Sequence, residues 1–138
     1  MANDVFLDTS FIVSLFNNKD SNHSKALLLQ TTVLSEVEHR YISSFVYAEY
    51  ATILSQRLGK EEFVKYQKFF QAWVQELFID AHLHGITKKY FETLKNKDIS
   101  FVDASSILAM KKYKIKHIVT FGKHFGELER KFGVKIIC

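Results

Sequence analysis

The 138-residue chain has no proline and only five glycines. Its loops are therefore expected to be short and its helices plentiful, with no flexible linker to a second domain. The single cysteine is Cys138, the last residue. That excludes an intrachain disulfide and a Cys-based zinc cage, and favours a reducing, cytoplasmic setting. No apolar run approaches ~18 residues, and no basic segment leads into an apolar stretch near residue 1, so neither a membrane span nor a targeting segment is expected. What is present is ordinary for a globular protein: 47% hydrophobic, 25% charged and 14% aromatic residues. A chain of this size buries roughly two-thirds of its unfolded surface, and one domain over residues 1–138 is expected.

The net charge of +4 hides an asymmetry. Residues 1–94 hold nine basic and eleven acidic side chains, whereas residues 95–138 hold ten and four. A basic segment on a nearly neutral body suits a polyanion such as nucleic acid; a merely solvated lysine surface would look the same.

Short apolar runs alternate with longer helical patterns. Strands are expected at 5–7, 41–43, 77–79, 118–120 and 134–137, and helices at 9–16, 20–38, 44–58, 60–75, from Thr87 onward, 100–112 and 123–132. Gly59 is a stop signal after Leu58, and Ser100 with Asp103 has the spacing of a capping box. Strands alternating with helices predict an α/β domain with a mostly parallel sheet, whose site lies beyond the carboxyl ends of the strands.

Three acids stand alone in otherwise apolar segments. Asp8 is the only charged residue between Asp4 and Lys19, Glu49 the only one between Arg40 and Arg57, and Asp103 the only one between Asp98 and Lys111. An unpaired buried carboxylate costs several kcal/mol, so each needs a partner. At ~5 Å and an effective dielectric of 20, two such charges repel by ~3 kcal/mol, which a divalent cation would quench. Oxygen donors without Cys or His select Mg²⁺ or Mn²⁺, ions that bind phosphates and activate water. Each acid also has a plainer reading. Asp8 and Asp103 sit where helix-capping acids sit, and Glu49 can face solvent or reach a distant arginine. Asp80 is equally isolated, so isolation alone does not prove convergence.

The motifs themselves are informative. Val5-Phe6-Leu7-Asp8-Thr9-Ser10, residues 20–26, Ser43-Ser44-Phe45-Val46-Tyr47-Ala48-Glu49, Ser100-Phe101-Val102-Asp103-Ala104 and Thr120-Phe121-Gly122-Lys123-His124-Phe125 occur in order over nearly the whole chain. Together they resemble the PIN-domain family, especially the VapC-type toxins of toxin–antitoxin pairs. The resemblance implies a PIN-like three-layer sandwich with a five-stranded parallel sheet and a pocket formed by Asp8, Glu49 and Asp103. It further implies Mg²⁺- or Mn²⁺-dependent endoribonuclease activity on RNA, a homodimer, and inhibition by a small cognate antitoxin. Thr9, Ser10 and Thr120 would then contact the scissile phosphate or buttress the metal ligands, for which helix capping or strand-end hydrogen bonding is an equal alternative; Lys123 and His124 would contact the RNA backbone, though a surface role suits Lys123 better and His124 could orient the loop.

The chain departs from the family in one place. Where the fourth motif typically carries an aspartate, this sequence has Gly122. Asp98 could supply a fourth carboxylate, three could suffice for one ion, or the activity could be weakened, naturally or by a substitution selected against toxicity. A catalytically weakened module that binds an antitoxin or RNA without cleaving is the alternative function. Other readings fit less well. Ser10 stands where a dehalogenase-type phosphatase needs a second aspartate, no acidic pair precedes a phosphoacceptor strand, residues 5–16 lack a glycine-rich phosphate loop, and His82 and His84 have no third zinc ligand nearby.

Overall fold

The structure, a computed structural model, describes residues 3–138. Its elements run β1 (Asp4–Leu7), α1 (Thr9–Phe16), α2 (His23–Thr32), β2 (His39–Ser43), α3 (Ser44–Leu58) and α4 (Lys60–Trp73). They continue with β3 (Gln75–Leu77), α5 (Ala81–Thr93), α6 (Phe101–Tyr113), β4 (His117–Val119), α7 (Phe125–Phe132) and β5 (Lys135–Ile137). The five strands form one parallel sheet in the order β3-β2-β1-β4-β5. Helices flank it, α1 packing on α2 and α3, and α6 on α3, α5 and α7. This is the expected three-layer α/β arrangement.

The sheet is built outward from β1. Val5, Phe6 and Leu7 are fully enclosed, as a strand covered on both faces requires. Phe6 pairs with Tyr41 of β2 on one side and Ile118 of β4 on the other. From β1 the chain moves outward through β2 to β3; from β4 it moves the opposite way to β5. The seam between β1 and β4 is thus the point where strand order reverses, and the crevice above such a seam is where open α/β sheets bind ligands. Asp8 and Thr120 immediately follow the two seam strands. Among the described residues no helix is long and apolar enough to cross a membrane.

Several elements differ from the sequence reading. The helix expected over 20–38 is confined to α2. At its start, Asp20 accepts hydrogen bonds from Ser14 Oγ (2.9 Å) and the Asn22 amide (2.8 Å), an Asx turn that holds residues 20–22 outside the helix. At its end, the Thr31, Thr32 and Ser35 hydroxyls turn back onto backbone carbonyls, and Leu34 and Val37 enter the core from turns. β3 lies two residues earlier than expected. β2 gives way to α3 after Ser43, which pairs with Leu77, so Phe78 is left 72% exposed beyond the ladder. α5 begins at Ala81 rather than Thr87 because Asp80 caps it, accepting from the Leu83 amide at 2.8 Å. The isolation of Asp80 has that explanation. Gly59 stops α3 with φ +86°, a conformation a side chain would strain.

Candidate active site

Asp8 is fixed at the seam before its side chain does anything. Its amide donates to the Val119 carbonyl (3.0 Å), extending the β1–β4 ladder by one bond. The carboxylate makes no cap to α1. Instead Oδ2 accepts from Ser10 Oγ (2.7 Å) and Thr120 Oγ1 (2.8 Å). Those hydroxyls stand 3.1 Å apart and accept in turn from the Phe121 amide (3.0 Å) and the Gly122 amide (2.9 Å). The fourth motif is therefore tied to the first through one carboxylate oxygen. Asp8 is 4% exposed. Burial pushes its pKa up and the charge of Asp103 adds to this, while the Ser10 and Thr120 hydroxyls pull the other way.

Glu49 comes from the second turn of α3. Ser43, the last residue of β2, caps that helix by accepting from the Val46 amide (3.1 Å). The half-buried Glu49 carboxyl is raised chiefly by burial, with Asp8 and Asp103 raising it further and Thr9 opposing. Asp103 lies in the first turn of α6 and closes the expected capping box: Oδ2 accepts from the Ser100 amide (2.9 Å) and Ser100 Oγ accepts from the Asp103 amide (3.0 Å). The same Oδ2 lies 2.6 Å from His124 Nε2, a contact at ion-pair distance but out of line for a ring N–H hydrogen bond. Asp103 is thus at once a capping residue and a wall of the site.

These side chains line one cleft of about 410 Å³, shared by Asp8, Glu49, Asp103, Ser10, Gly122 and His124. Thr9 also lines it, with its buried hydroxyl near enough to Glu49 to oppose the rise of that carboxyl's pKa. A profile of the PIN domain matches residues 5–131. The chain belongs to the PIN-domain family. Among solved PIN-type structures it is similar to VapC20 of Mycobacterium tuberculosis, a sarcin–ricin-loop-cleaving toxin, with 26% identity, a TM-score of 0.80, and coverage of 90% of this chain and 94% of that one. It also shares the fold of FitAcB from Neisseria gonorrhoeae, with 18% identity, a TM-score of 0.61, and 97% and 96% coverage. VapBC2 from Rickettsia felis, bound to a DNA fragment from its promoter, is similar at 18% identity, a TM-score of 0.60, and 97% coverage of each chain. No curated protein matches the chain in sequence.

Not every residue singled out in the sequence joins this PIN cleft. Asp98 is exposed in the connection between α5 and α6, its amide bonded to Asn96 Oδ1, and it is absent from the cleft wall. It does not stand in for the missing acid. Lys123 is exposed and also outside the wall. Thr120 is buried beneath Asp8 rather than open to a ligand. His82 and His84 lie two apart on α5, where a helix turns them to different faces; His84 packs on Phe45 and Phe101 instead. The sequence reading missed Arg57, a cleft-lining cation without an ion pair among the described residues. Its signal was present: Glu49, Ile53 and Arg57 recur every four residues along one face of α3, and all three line the cleft.

The donors suit a hard divalent ion in kind, since every carboxylate supplies oxygen. They do not suit it in spacing. Among the described residues no three acidic, histidine or cysteine side chains stand close enough to hold one ion together. At the fourth position, a Cβ on Gly122 would meet Thr120 Oγ1 at 3.2 Å and His124 Cε1 at 3.4 Å. Gly122 is not among the positive-φ glycines, so its backbone does not require glycine. A Cβ there needs a few tenths of an ångström of movement from Thr120 Oγ1, which is held by its bonds to Asp8 and the Gly122 amide.

Proposed function

We propose that this PIN-domain protein is the toxin-type member of a toxin–antitoxin pair, weakened for RNA cleavage and acting mainly by binding. Its partners would be a small antitoxin and RNA, and its own second copy. The observation that supports this reading is the pairing of Gly122 with the His124–Asp103 contact: one carboxylate of the family's set is missing, and one of those that remain has an imidazole 2.6 Å from it. The seam geometry is otherwise that of a phosphate-handling cleft, with Arg57 able to attract a phosphodiester and Asp8 held rigidly by two hydroxyls.

A second reading, a Mg²⁺- or Mn²⁺-dependent endoribonuclease, is favoured by one feature: Asp8, Glu49 and Asp103 share a cleft, and the charge of Asp103 raises the proton affinity of both Asp8 and Glu49. In that reading the three would have to draw closer together before they could share an ion. The two readings separate in one experiment, in which labelled RNA is incubated with the protein and Mg²⁺ or Mn²⁺, or with EDTA, beside Gly122→Asp. The weakened reading expects cleavage close to the EDTA background, rising about a hundredfold in the variant, the scale of one well-placed charge-stabilising group. Rapid metal-dependent cleavage that Gly122→Asp leaves unchanged would overturn it in favour of the nuclease.

A further inference from the structure

Four lysines of the molecule gather away from the acidic cleft. α6 carries Asp103 in its first turn and Lys114 just past its last, eleven positions and therefore ~16 Å along the helix axis. Beside that far end is a cavity of about 560 Å³ between α6, α7 and the starts of β4 and β5, well within the range of small-molecule sites. Its floor is apolar, made by Ile107, Met110, Ile115 and Val134, with the Phe132 ring at one side. Lys111, Lys114, Lys116 and Lys131 surround it, and no acidic side chain lines it.

None of the four lysines forms an ion pair among the described residues. Lysines at helix C-termini commonly answer the helix dipole, and both α6 and α7 end here. Each terminus presents only about half a negative charge, so two of them balance roughly one lysine of the four. The remainder is a concentrated positive field without a counterion in the fold. Lys114 adds an independent indication. At φ +58° it is the only non-glycine residue in the left-handed region among those described, at a helix end where glycine would be free of strain. A lysine held there at a conformational cost places its ammonium group at the cavity's edge.

We infer that this cavity is a second binding site, for a nucleoside di- or triphosphate. The ring system lies on the apolar floor against Phe132, and the phosphates take the lysine rim. A single carboxylate or monophosphate leaves most of the rim unanswered, and a bare polyphosphate leaves the floor unused. No hydroxyl, amide or acidic side chain lines the cavity, so nothing there reads the edge of a base. ATP and GTP therefore bind alike.

The test is calorimetry on the full chain in EDTA, which keeps it independent of any metal at the acidic cleft. ATP and GTP are expected to bind with affinities within about threefold of each other, and AMP and inorganic tripolyphosphate at least about tenfold more weakly. Lys114→Gly is expected to retain or raise the melting temperature, since glycine suits the left-handed cap, while weakening ATP about tenfold. Lys131→Gln, at an ordinary helical position, should weaken it similarly. Absence of ATP binding up to about 1 mM, tripolyphosphate binding as tightly as ATP, or unchanged ATP affinity in both lysine variants would each overturn the assignment.

Discussion

A carboxylate as enclosed as Asp8 keeps its charge at the expense of the fold, because burial favours the protonated form. The same holds, less completely, for Glu49. Both folded-state pKa values lie above their unfolded ones, so across the window above about pH 4 the native state holds more protons than the unfolded state. Stability from these groups therefore falls as pH rises through that window toward neutrality. In EDTA, Asp8→Asn is expected to be more stable than the parent at pH 7, and the difference should vanish below the ordinary carboxylate range; melting curves from pH 3 to 8 check this. Asp8→Ala should behave differently. It leaves the half-buried Ser10 and the buried Thr120 hydroxyls without their acceptor, a loss of about 1–3 kcal/mol readable as a lower denaturant midpoint. At this scale the sequence was informative but not selective. Isolation in apolar segments singled out Asp8, Glu49 and Asp103, which do share a cleft, and also Asp80, whose isolation reflects a helix cap. It could not reveal that Asp98 faces solvent, because exposure in a short polar loop leaves no periodic signal.

At the scale of elements, the site is positioned by helix starts. Ser43 is wholly buried and caps α3 through the Val46 amide, so it sets where Glu49 emerges. Ser100 does the same for Asp103. Ser43→Ala and Ser100→Ala are each expected to cost about 1 kcal/mol, up to about 2 for the buried cap, in urea titrations. Ser100→Ala keeps the backbone amide from which Asp103 Oδ2 accepts, so RNA or metal affinity should change no more than the loss of stability alone would suggest. The capping box and the Gly59 stop were legible because they depend on local spacing. The ends of α2 and the position of β3 were not, since they depend on side chains reaching back to the backbone and on the register imposed by β2.

For the molecule as a whole, alternating apolar runs and helical patterns sufficed to predict a parallel α/β sheet, because strands buried on both faces read as continuous hydrophobic stretches. Phe6, in the central strand and without exposure, shows how much rests there: Phe6→Ala should cost about 3–5 kcal/mol, measured by denaturant unfolding. The basic C-terminal third was read as an attractor for RNA phosphates. In three dimensions four of its lysines line a cavity at the far end of α6 from Asp103, and the acidic cleft has Arg57. Charge sums along a chain do not carry direction; topology supplies it.

The bond between Thr120 and Asp8 spans 112 positions, and β1 gains its second neighbour only when β4 arrives. During translation, the cleft around the acids at positions 8, 49 and 103 therefore lacks the wall that Gly122 and His124 supply until residues 117–124 have left the ribosome. At about 5–20 residues per second, synthesis to that point takes roughly 6–25 s. Whatever the cleft does to nucleic acid, an unfinished polypeptide cannot do it to the ribosome producing it.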